Sequence, residues 1–130
     1  MDTAHHVWNR AAMAGGGREP REGDSALASV LAVHSMAMSG GLLNAVEELS
    51  PEQLDAAEAG FRWLRLGAAA DVLAMVRREV QTGALDDEDR AEALETRADT
   101  DYALVIPTDQ TIVDAFGGLL AEVPTAFAPI

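Results

Sequence analysis

Residues 50–80 read SPEQLDAAEAGFRWLRLGAAADVLAMVRREV, which is two helices with almost nothing between them. Ser50 is a good N-cap, because its hydroxyl accepts from an orphan backbone N–H one turn on. Pro51 follows at the first helical position, where its missing N–H costs nothing. Gln53 sits three residues after Ser50 and completes a capping-box pattern. The spacing predicts a helix running to Leu66, with Gly67 placed to end it at positive φ. A second helix starts almost at once and carries Val72, Leu73, Val76 and Val80 on one side. Two amphipathic helices joined so tightly fold back on each other or cross sharply.

Toward the N-terminus, a first helix is expected over Ser25–Met38, with Asp24 or Ser25 as its cap. Leu27, Val30, Leu31, His34 and Met38 recur there at helical spacing. Ser39-Gly40-Gly41 breaks it, and Leu42, Leu43, Val46 and Leu49 mark a short second helix. Residues 1–24 contain Gly15-Gly16-Gly17 followed by REPREGD, a composition that holds neither helix nor strand well. They read as a flexible lead-in, with a short helix over Val7–Met13 and a docked Trp8 as the alternative.

Toward the C-terminus, Thr82-Gly83 ends the hairpin. Asp86-Asp87-Glu88-Asp89 opens a helix whose positive end suits that charge. Ala91, Leu94, Ala98, Tyr102 and Val105 share one face, and Pro107 stops the helix. Thr108 or Asp109 caps a last helix bearing Ile112, Val113, Phe116, Leu119, Leu120 and Val123. Gly117-Gly118 weakens it, by about 1 kcal/mol per glycine relative to alanine. A close helix crossing at that point would account for the pair. The best candidate strand, Ala103–Ile106, is very short. The expected fold is all-α, one multi-helix bundle of about five to six helices over residues 25–130.

Length suits a single domain: 130 residues, 48% of them apolar and only 5% aromatic. Much of the apolar fraction is alanine, so helices should pack closely around a thin core. The absence of cysteine excludes disulfides and thiolate zinc sites. With no basic leader ahead of an apolar run and no long apolar stretch, a cytoplasmic location is expected. The formal charge is −13, from 22 acids against 9 bases, all arginine. Such a charge repels nucleic acid and anionic membranes and favours basic partners.

Motifs for catalysis are missing. His5 and His6 lie in the lead-in, and His34 is most simply a hydrogen-bonded structural residue. No histidine has a carboxylate at HExxH spacing, so no metal site is expected. Asp86–Asp89 lacks the alternating oxygens and the glycine of a calcium loop. Neither Gly15–Gly17 nor Ser39–Gly41 carries the lysine of a phosphate loop. No serine sits in a GxSxG elbow, so no catalytic residue and no cofactor is assigned.

The acids are the informative feature. Glu47, Glu48, Glu52, Asp55 and Glu58 form one group without a base among them. The second group runs from Asp86 to Asp101, relieved only by Arg90 and Arg97. Within it Glu88, Glu92, Glu95 and Asp99 step by four, three and four residues, which lines them along one helical ridge. The bland reading is a solvated face. The functional one is a surface that imitates nucleic-acid phosphates, since duplex DNA presents a charge every ~1.7 Å of axis. A ridge of carboxylates every ~5–6 Å offers a comparable target.

The segment Ser39-Gly40-Gly41-Leu42-Leu43-Asn44, the junction Leu66-Gly67-Ala68-Ala69-Ala70, Tyr102, and more faintly Val123–Phe127 together resemble a small helical bacterial domain family of unknown function. Its best-known member is an acidic DNA mimic. The likeness spans residues 28–127. Ser39 stands where that family has asparagine and Leu42 where it has an aromatic. The resemblance implies an all-helical fold and allows an acidic face to occupy the DNA-binding surface of a basic regulator.

Three functions are therefore carried forward. The first is a non-enzymatic module that binds a basic protein, such as a DNA-binding regulator, through Glu88, Glu92, Glu95 and Asp99 together with Glu47, Glu48, Asp55 and Glu58, and touches neither nucleic acid nor membrane. A second is an accessory or structural protein assembling, as a homodimer or with a partner, through Phe61, Trp63 and the Gly117-Gly118 region. The third is a small ligand-binding domain or enzyme with a pocket near His34, Ser39 and Asn44.

Overall fold

The hairpin over residues 50–80 forms, but it turns differently from the expectation. In the computed structural model, which describes residues 2–130, Pro51–Trp63 and Gly67–Gln81 are helices. Ser50 Oγ accepts from Gln53 N–H at 3.1 Å, and Gln53 Oε1 accepts from Ser50 N–H at 2.9 Å, closing the capping box. The left-handed residue is Arg65, at φ 64°, and not Gly67. Leu66 N–H donates to Phe61 O at 2.8 Å and Arg65 N–H to Arg62 O at 3.0 Å. These are the two bonds of a Schellman stop, which turns Leu66 back onto the core. Gly67 is left to begin the next helix.

In chain order the helices are α1 (Thr3–Ala14), α2 (Glu22–Gly40), α3 (Leu42–Glu48), α4 (Pro51–Trp63), α5 (Gly67–Gln81), α6 (Glu88–Val105) and α7 (Asp109–Glu122). Short 3-10 turns occupy Ala84–Asp86 and Pro124–Ala126. Helix accounts for 81% of the chain and no strand occurs among the described residues. The all-α expectation is met, with seven helices among the described residues where five to six were expected. Ala103–Val105 is simply the last turn of α6.

The central member is α2, which packs on α1, α3 and α4. It starts at Glu22, earlier than expected, because Asp24 serves as an acid inside the first turn and not as the cap. Asp24 Oδ2 accepts from Arg21 N–H at 3.0 Å. The tightest crossing is between α2 and α4. A Cβ on Gly60 would stand 2.6 Å from the Ala26 carbonyl oxygen and 3.1 Å from Val30 Cγ2. That is the close approach the alanine-rich composition calls for. It does not lie at Gly117-Gly118, where an added Cβ would meet nothing within 4 Å.

The flexible lead-in is also corrected. Residues 3–14 form α1, capped by Asp2, whose side chain accepts from His5 N–H at 2.8 Å. Val7 and Ala11 are buried, and the Trp8 ring lies 5.9 Å from that of Phe116 on α7. The glycine run is a chain reversal: Gly15, Gly16 and Gly17 all have positive φ and return the chain to α2. What anchors α1 was hidden by sequence distance. Arg10 pairs with the fully buried Asp24 at 2.8 Å and donates to the carbonyls of Ala128 and Pro129 at 2.9 and 3.0 Å. Asp24 also accepts from Ala128 N–H at 2.7 Å. Phe127 plugs the space above Gly23 and stacks edge-on against Phe116 and Trp63.

Two sets of substitutions test this packing by denaturant unfolding. Gly60→Ala is expected to cost about 1–3 kcal/mol by overpacking, whereas Gly117→Ala and Gly118→Ala each gain up to about 1 kcal/mol of helix propensity. Asp24→Ala strands Arg10 and removes the acceptor of the Arg21 and Ala128 N–H groups. It should cost about 3–5 kcal/mol and open residues 3–14 and 124–130 to protease before the rest.

Candidate functional site

Helix α6 sorts its charges by flank. At about 100° per residue, Leu94, Ala98 and Tyr102 face inward, and all three are buried. Glu88, Glu92, Glu95 and Asp99 fall on the flank beside α3. Arg90, Arg97 and Asp101 fall on the flank beside α5. The arginines there are engaged: Arg90 donates to Glu79 and to Thr82 Oγ1, both at 3.1 Å, and Arg97 meets Asp101 at 3.5 Å. Glu88, Glu92 and Glu95 are exposed and meet no arginine among the described residues. Glu47 and Glu48, exposed and likewise without an arginine, lie at the end of α3, which packs on α6.

Three of the expected partner-binding acids are occupied within the fold. Asp55 and Glu58 both accept from Arg77 of α5, Asp55 at 2.9 Å. Being on α4 and tied across the hairpin, they do not extend the α6 ridge as an open surface. Asp99 has a structural duty, since its Oδ1 accepts from Leu42 N–H at 3.0 Å. Leu42 is the first residue of α3, which has no side-chain cap of its own. Asp99 therefore supplies that cap from α6, with Gly41 at φ 94° letting the backbone pass close to the carboxylate.

His34, Ser39 and Asn44 are not brought together as one pocket. Asn44 packs beside Gly40 at the α2–α3 junction. His34 and Ser39 instead line an open groove of approximately 790 Å³. Its other walls come from α1 and α2, with Leu49 and Asp109 at its margin.

At that margin lies a three-residue chain that the sequence did not announce. His34 is 5% exposed. Its Nδ1 is 2.7 Å from the Tyr102 hydroxyl, and its Nε2 is 2.6 Å from Asp109 Oδ1. Burial pushes the Tyr102 phenol above its ordinary value, and the Asp109 charge adds to the shift. The phenol thus keeps its proton. In the neutral ring Nδ1 accepts from Tyr102, and Nε2–H donates to the acceptor-only Asp109 carboxylate. The chain ties α2, α6 and α7 together and satisfies every polar atom of a buried imidazole. Tyr102 and Asp109 could be found in sequence only as a core residue and a helix cap, because 68 and 75 residues separate them from His34.

A second polar tie fastens the outer end of α7. Arg65 donates through both terminal nitrogens to Glu122, at 2.9 and 3.0 Å. These bonds and the paired charge lower the Glu122 carboxyl below its usual range. No group of three or more histidines and carboxylates gathers in metal-binding geometry among the described residues. Among the described residues no helix is long and apolar enough to cross a membrane.

Tyr102 is the one tyrosine of the chain, so tyrosinate absorbance reports it alone. Because the folded state holds the proton more tightly, its stabilising contribution is complete below pH ~10 and is lost as pH rises beyond it. The native protein is expected to show no tyrosinate step near pH ~10, and Asp109→Asn should lower the observed midpoint. A native midpoint at the ordinary phenol value would contradict the buried donor. Tyr102→Phe leaves His34 Nδ1 unpaired and is expected to cost about 1–3 kcal/mol in urea unfolding. Comparison with protein-family models, curated proteins and solved structures returned no match for this chain.

Proposed function

We propose that the chain is a non-enzymatic binding module that holds a basic protein through the carboxylates on the α3 flank of α6. One observation carries this reading. The arginines of α6 lie on the opposite flank and are engaged there, while Glu88, Glu92 and Glu95 are exposed without a counter-charge. Like charges at this spacing cost an isolated helix a few tenths of a kcal/mol per pair. A basic partner relieves that repulsion on binding. Glu47 and Glu48 extend the surface from α3, whereas Asp55, Glu58 and Asp99 play no direct part in it. The net charge of −13 adds a long-range field that speeds encounter with a cationic surface.

The resemblance of Ser39–Asn44 and Leu66–Ala70 to the family that includes a DNA mimic narrows the partner to a DNA-binding regulator. Assembly through Phe61 and Trp63 has less support, since Phe61 is wholly buried and the partly buried Trp63 already meets Phe127 edge-on.

The test is capture of partners from native cytosol at low salt, followed by a salt gradient. A basic protein is expected to elute as salt rises and to be displaced by duplex DNA. The variant carrying Glu88→Gln, Glu92→Gln and Glu95→Gln should release it at lower salt with an unchanged thermal midpoint, and Asp55→Asn should change little. Retention indifferent to salt, or to the triple substitution, rejects the proposal.

A further inference from the structure

The groove between α1 and α2 has the build of a small-molecule site. Its volume of approximately 790 Å³ lies inside the range of about 300–1,000 Å³ typical of ligand pockets. Small side chains, Ala11, Ala12, Ala28 and Ala32, make up much of its lining. Trp8, Leu31 and Met36 also line it, as do Met13 and Met38, which are 85% and 62% exposed. Thioethers there can adapt to a guest of variable shape. Folding explains the burial of Trp8 on Phe116, but it gives no reason for two bare methionines beside one trough.

Charge selects the guest. Among the described residues, the titratable groups lining the groove are His34 and Asp109. Both ring nitrogens of His34 are engaged, by Tyr102 and by Asp109. Asp109 uses Oδ1 for His34, makes no hydrogen bond through Oδ2, and has a side chain that is 73% exposed. No arginine lines the groove, so an anionic head would face a carboxylate with no counter-charge. From these features we infer that the groove takes an elongated apolar amine, its hydrocarbon over the alanines between Trp8 and Met36 and its ammonium on Asp109. The contact is a charge-assisted hydrogen bond, moderated by the solvent that still reaches the carboxylate. This site is separate from the α6 flank, so either can fail alone.

Octylamine, octanoate and octanol serve as matched probes on the full chain, with methionine methyl resonances and tryptophan fluorescence as readouts. The chain has five methionines, and Met75 on α5 is the internal control outside the groove. Octylamine is expected to shift Met36 and Met38 saturably, leave Met75 unmoved, and bind about tenfold tighter than octanoate. Asp109→Asn keeps an acceptor for His34 and should erase that preference while octanol binding stays the same. Ala32→Phe, on an exposed helix position, should fill the trough and abolish binding of all three with the fold intact. Equal binding of octylamine and octanoate, an unchanged preference in Asp109→Asn, or shifts at Met75 as large as those at Met36 and Met38 would overturn the assignment.

Discussion

The approach of α4 to α2 at Gly60 sets the frame for everything else in this molecule. With few aromatics and many alanines, the chain cannot fill wide gaps between helices, so its backbones must come close. Gly60 against Ala26 and Val30 is where they come closest. Once α4 lies there, Phe61 and Leu64 enter the core, and the Arg65 turn sends α5 back along it. Helices α3 and α6 then close on α5, and α7 is held at its two ends by His34–Asp109 and Arg65–Glu122.

Local chemistry was readable where the partners are near in sequence. The Ser50 capping box, the break at Ser39–Gly41, the stop before Pro107 and the inward faces of α6 and α7 follow from spacing alone. The positive φ at Arg65 was misplaced because glycine is the usual bearer of that geometry. Here the pull of Leu66 toward the core outweighs the modest cost of a left-handed arginine. The lead-in was misread for a related reason. A glycine run next to charges has the composition of a disordered segment, and only the Arg10–Asp24 pair and the tail reveal it as a turn.

The candidate site divides in the same way. Periodicity placed Glu88, Glu92, Glu95 and Asp99 on one ridge, and helical geometry alone guarantees that much. What periodicity cannot supply is the neighbour. Asp99 reaches the start of α3, and Arg77 claims Asp55 and Glu58, because α3 and α5 happen to pass within reach. The Tyr102–His34–Asp109 chain is the extreme case: three residues from three helices, none unusual in its own segment. A buried histidine demands partners, but the demand does not name them.

The contact between Arg10 and residues 128–129 has a bearing on how the molecule comes into being. It joins positions 119 and 118 apart along the chain. During synthesis α1 is made before Phe116, Phe127 and the carbonyls that complete its seat. Until they arrive it rests on α2 and Asp24 alone, and Trp8 lacks its Phe116 neighbour. The segment around Phe127 thus finishes the docking of α1 and closes the bundle like a clasp.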